Sequence, residues 1–163
     1  MSSSRLEIKH EIKGVARLYD DRIDLSKVTE ARTASICARL HVRNGKRRLE
    51  KGFSGKAVAA LYDAVWFGML YYVARHKGCA SYMENTELWD AASVFHALTR
   101  AGVFEDQHAF NGLSLLVERA LWQQPGAFDA HSVIMEVEQM LAKLGVIPFP
   151  EASFPNKLPL TIL

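Results

Sequence analysis

From Arg5 to Tyr19 the even positions are Leu6, Ile8, His10, Ile12, Gly14, Ala16 and Leu18, while Arg5, Glu7, Lys9, Glu11, Lys13 and Arg17 occupy odd ones. This period-two alternation predicts a strand with one face on a core and the other in water. Asp20-Asp21 follows as a turn, and a two-residue loop there pairs Leu18 with Ile23, Ala16 with Leu25 and Arg17 with Asp24. A second alternation sets Ile36, Ala38, Leu40 and Val42 against Cys37, Arg39, His41 and Arg43, and ends at Asn44-Gly45. Both residues tolerate the positive φ of a type I′ turn, so this dipeptide predicts a hairpin. Its register matches Leu40 with Leu49, Ile36 with Phe53 and Arg39 with Glu50, and a one-residue slip loses all three.

Beyond Ser54 the pattern becomes helical. Residues 56–76 form a nearly continuous apolar segment, in which Asp63 is the one charge between Ala57 and Ala74. Three amphipathic helices follow, each with a start and stop signal. Asn85 caps the first, over 86–101, and Gly102 ends it. Asp106 caps the second, over 107–123, before Pro125-Gly126. Asp129 caps the third, over 130–144, and Gly145 ends it. From Val146 to Leu163, four prolines among Phe149, Phe154, Leu158, Leu160, Ile162 and Leu163 forbid a helix and predict an extended tail laid over this molecule or a neighbour.

Strands followed by helices predict an α+β fold in one domain, 1–163. It comprises an antiparallel meander of about four strands over residues 5–53, about four helices over 56–145 packed on its apolar face, and the tail over 146–163. An all-helical bundle with a long N-terminal hairpin arm is the alternative. The chain of 163 residues, 49% hydrophobic and 23% charged, has the composition of a globular domain. Cys37 and Cys79 are too few for a disulfide framework. The charged N-terminal stretch lacks the apolar run of a secretion signal, which predicts a cytoplasmic protein. Residues 57–74 are long enough to span a membrane, but Asp63 and the many Ala, Tyr and Gly residues predict a buried central helix instead.

Charge changes the picture. Residues 1–56 carry 14 Lys and Arg against 7 Asp and Glu, whereas residues 57–163 carry 6 against 11. The basic residues concentrate in Arg39, His41, Arg43, Lys46, Arg47, Arg48 and Lys51, among which Glu50 is the only acid, and Lys56 lies just beyond. Such a cluster exceeds what a charged strand edge needs against aggregation. It predicts contact with an anionic partner, a nucleic-acid backbone or an acidic protein, through these eight residues. Lys51-Gly52-Phe53-Ser54-Gly55 begins like an RNA-recognition sequence without its later aromatics, and Gly55-Lys56 resembles a P-loop without its first glycine and hydroxyl. Gly52, Ser54, Gly55 and Lys56 nonetheless lead into a helix start, which suits an anion.

Catalytic and metal chemistry finds less support. Asp63, inside an apolar helix, has the setting for a raised pKa. Glu105 and His108 form a single Glu-x-x-His pair, and no His-Glu-x-x-His or Cys-x-x-Cys occurs. Cys37 and His41 share the basic face of the predicted strand, where neighbouring same-face positions stand about 6.5–7 Å apart at the backbone. Nearby cations favour a thiolate there, but no third group orients the pair. The expectation is a non-enzymatic accessory protein with a basic binding hairpin, no cofactor, no metal and no membrane contact. A homodimer through the tail is expected beside it. An oligomerising adaptor or inhibitor, and a small enzyme with a pocket between sheet and helices, are the alternatives.

Overall fold

The computed structural model describes residues 31–122 and 125–154, and they form a helical assembly. The elements are α1 (Ala31–Glu50), α2 (Ser54–Arg75), a 3₁₀ turn (Lys77–Cys79), α3 (Ala80–Met83), α4 (Ala91–Arg100), α5 (His108–Trp122), α6 (Ala130–Lys143) and a final 3₁₀ turn (Glu151–Ser153). No β-strand occurs among the described residues. The expected α+β fold is therefore corrected to a helical one, and the hairpin predicted over 36–53 is instead α1 and its exit. The first predicted hairpin, with its turn at Asp20-Asp21, lies outside the described residues.

A helical period underlies α1. Ala34, Cys37, Ala38, His41, Val42 and Gly45 are buried at spacings of three and four, with Leu49 partly buried one turn on. Arg47 and Arg48 occupy the last turn, where cations suit the helix dipole. Gly52 then reverses the chain at φ +80, a conformation that a side chain disfavours. The Gly52 and Phe53 amides donate to the carbonyls of Leu49 and Arg48, at 3.0 and 2.9 Å, which closes the helix end as a Schellman motif.

The chain returns as α2, antiparallel to α1. Gly45 lets the two helices touch: a Cβ there would lie 2.7 Å from Leu61 Cγ and 3.3 Å from the Ala57 carbonyl oxygen. Asn44-Gly45 is thus a helix-contact site and not a turn. Four residues further from the exit, His41 stacks on Phe67 with ring centroids 5.1 Å apart.

α2 is the axis of the molecule. It is long and apolar enough to cross a bilayer, but 78% of its most apolar stretch is buried by its neighbours. Gly68 admits α6, since a Cβ at that position would meet Leu141 at 3.0 Å and Leu144 at 3.1 Å. Tyr62 meets Phe110 of α5 at 5.6 Å, and Phe110 stacks on Phe95 of α4 at 4.4 Å. The Trp66 indole N–H donates to the Leu88 carbonyl at 2.9 Å.

The later helices keep their predicted places with one shift. α4 begins at Ala91 and not at 86, because Asn85 takes a left-handed φ of 61° and Asp90 is the cap, accepting from the Ala92 amide. Asp106 and Asp129 accept from the amides of His108 and His131, at the expected starts of α5 and α6. After α6, residues 146–154 fold back along α1, with Val146 fully buried and Ile147 and Phe149 packed against the core. The predicted tail therefore rests on this chain as far as Phe154, and residues 155–163 lie outside the described residues.

Candidate anion-binding surface

Winding residues 36–50 into a helix divides the predicted basic face into three groups. Arg39, Arg43 and Lys46 lie under the returning segment and hold it. Arg39 Nε donates to the Val146 carbonyl at 3.1 Å, and its guanidinium lies 5.6 Å from the Phe149 ring centre. Arg43, 2% exposed, donates to the Phe154 carbonyl at 2.7 Å and lies 5.4 Å from that residue's ring. Burial and the nearby Arg47 lower its pKa and Glu151 opposes them, yet a guanidinium stays charged at any ordinary pH. Lys46 pairs with Glu138, and with Glu151 at 3.1 Å. Burial disfavours its charge, but the bonds to the two carboxylates outweigh that and hold its pKa above the usual value.

His41 and Arg48 turn inward. The His41 ring is fully buried against Phe67, and burial, with Arg48 adding a smaller push, lowers its pKa from 6.5 to about 3. A neutral imidazole in the core attracts no phosphate. Arg48 is half-buried beside it. The third group is Arg47, Lys51 and Lys56, all exposed, and no carboxylate among the described residues lies within ion-pair distance of them. Arg47 and Lys51, four residues apart, share one edge of the α1 exit. Lys56 stands in the first turn of α2.

Two aromatic residues outside the predicted basic face join this third group. Phe53, expected on a buried strand face, sits at the start of α2 and is 56% exposed. α5 runs antiparallel to α2: Tyr62 meets Phe110, and a Cβ on Gly55 would lie 3.7 Å from that of Ala120. Carried two residues further, that register sets Trp122 level with Phe53 at the same end of the molecule. Trp122 is 85% exposed, with exposed Arg119 one turn before it. The signal is present in the sequence, since the buried stripe of α5 is Phe110, Leu113 and Val117, and Trp122 falls off it.

The catalytic candidates are not brought together. Asp63 is buried, and burial raises its carboxyl pKa well above the ordinary value, but no described residue hydrogen-bonds to it or pairs with it. The helix places Cys37 and His41 one turn apart on a shared face, closer than a strand would, yet both are fully buried. Glu105 pairs with Lys143 at 3.8 Å, and the His96 ring with Gln107 at 2.8 Å. No group of three or more metal-ligating side chains occurs among the described residues. Compared with protein-family models, curated proteins and solved structures, the chain matches none of them.

Proposed function

We propose that this protein is a non-enzymatic accessory protein of the cytoplasm that contacts an anionic partner, the phosphate backbone of a nucleic acid, through the α1–α2 turn. One observation supports this reading above the others. Arg47, Lys51 and Lys56 stay exposed with no carboxylate within ion-pair distance among the described residues, while Arg39, Arg43 and Lys46 of α1 have found internal partners. Exposed cations clustered at one end of a molecule draw polyanions and dominate non-specific nucleic-acid affinity.

Fluorescence anisotropy with single- and double-stranded DNA and with RNA, across a salt series, tests the reading. The variant carrying Arg47→Glu and Lys51→Glu should fold normally, because both residues are exposed. It should bind more weakly, and for duplex DNA the slope of log affinity on log salt should shrink by about 0.9 for each phosphate that is no longer neutralised. A wild-type chain that binds none of these at low salt, or a variant that binds as well, overturns the proposal.

A further inference from the structure

The basic end of the molecule carries more than charge. Phe53 and Trp122 are among the few large apolar side chains left exposed, and both belong to the end that carries Arg47, Lys51 and Lys56. Lys51 and Lys56 flank Phe53 along the chain, and Arg119 precedes Trp122 by about one helical turn. We infer that this end binds single-stranded nucleic acid, with Phe53 and Trp122 stacking on unpaired bases while Arg47, Lys51, Lys56 and Arg119 meet the phosphates. The inference rests on the phosphate-binding reading above and adds the class of nucleic acid to it.

A single strand is the ligand that uses both kinds of side chain. Stacking needs a free base face, which an intact duplex keeps buried in its own stack, so the rings give nothing to duplex binding. Phe53 and Trp122 stand on helices whose axes pack about 8–10 Å apart, and a flexible strand can splay successive bases to reach both. A membrane surface would also accept cations and aromatics, but insertion takes a continuous apolar face. Here exposed Lys51 and Lys56 flank Phe53, and exposed Glu118 and Arg119 precede Trp122 by about one turn, so polar side chains interrupt the apolar surface around each ring.

The test uses the whole chain and four probes: a dT oligonucleotide, a duplex of equal length, inorganic polyphosphate as an anion without bases, and vesicles of anionic phospholipid. Phe53→Ala and Trp122→Ala should each weaken dT binding by about 5- to 150-fold, the range expected when one base loses its stacking platform. Duplex and polyphosphate affinity should stay within about twofold of wild type, because phosphate neutralisation is untouched. Trp122→Phe, which keeps a ring, should restore most of the dT affinity, and unchanged melting curves establish that the variants fold. If both alanine variants bind dT like wild type while Arg47→Glu/Lys51→Glu does not, stacking is wrong and the phosphate reading stands. If wild type binds neither nucleic acids nor polyphosphate, both fall together. Binding to vesicles alone replaces both with a membrane surface.

Discussion

Replacing Gly45 with alanine sets two effects of known size against each other. Alanine in a helix is favoured over glycine by about 0.8–1.0 kcal/mol. Against this, the new Cβ would lie 2.7 and 2.8 Å from Leu61 Cγ and Cδ2 and 3.3 Å from the Ala57 carbonyl oxygen. Ordinary carbon contacts are about 3.5–4.0 Å, so Leu61, which is fully buried, must move by nearly an ångström. Overpacking of this kind costs about 1–3 kcal/mol. The steric term wins, and Gly45→Ala should lose about 1 kcal/mol, lowering Tm by about 2–4 °C for a chain of this size.

Gly112→Ala is the control. Gly112 is in α5 with nothing within 4 Å of its would-be Cβ, so only the propensity gain applies and Tm should rise by a similar amount. Asn44→Ala separates helix from turn, because it stabilises a helix by about 0.5 kcal/mol but removes a favoured residue from a type I′ turn. Urea melts followed by circular dichroism at 222 nm measure all three. Leu61→Ala should also cost less in the Gly45→Ala background than alone, through a coupling of about 0.5–3 kcal/mol. A Gly45→Ala protein that gains as much as Gly112→Ala refutes the close approach of α1 and α2.

Asp63 and His41 should tilt stability in opposite directions with pH. The folded Asp63 carboxyl titrates well above its ordinary 3.8, so stability falls as pH rises from about 4 towards the folded value. Asp63→Asn should therefore gain on wild type as pH rises, by up to about 1.4 kcal/mol per unit; a difference constant from pH 4 to 8 rules this out. The His41 ring titrates near 3 and not at 6.5, so stability is lost as pH falls below 6.5 and His41→Gln should lessen that loss, measured by urea melts over the same range. Arg43→Ala removes a charged hydrogen bond to Phe154, worth about 1.5–3 kcal/mol, and should speed amide exchange across residues 147–154. Arg43→Lys should recover only part, since an ammonium lacks the planar fork, and unchanged exchange in Arg43→Ala would show that the segment holds without it.

Much of the helical body is legible in the sequence because its signals are local. Asp106, Asp129, Gly102 and Gly145 mark helix ends in the sequence and do so in the structure. α1 reads as a hairpin because it is covered on several sides, by α2 through Gly45 and His41 and by residues 146–154 through Arg39 and Arg43. A helix so enclosed buries positions beyond one stripe, and Leu40 and Val42 then mimic a strand. The three-four spacing of Ala34, Cys37, His41 and Gly45 is the competing signal. Asn44-Gly45 outweighs it only because a glycine kept for close approach looks, in sequence, like a glycine kept for a turn. The basic residues stand out as a set, but Arg39, Arg43 and Lys46 are held by groups within residues 138–154 and His41 by Phe67 of the next helix, partners that local pattern does not carry.

Those partners also set an order of events during synthesis. Arg39, Arg43 and Lys46 meet groups that follow them by 107, 111 and 105 residues. At about 5–20 residues per second, the ribosome delivers Val146, Glu151 and Phe154 roughly 5–20 s after α1. For that interval the nascent chain displays a more basic helix than the finished protein keeps. A polyanion or chaperone that takes α1 then competes with the chain's own later segment, and completing the fold means exchanging an outside partner for an inside one.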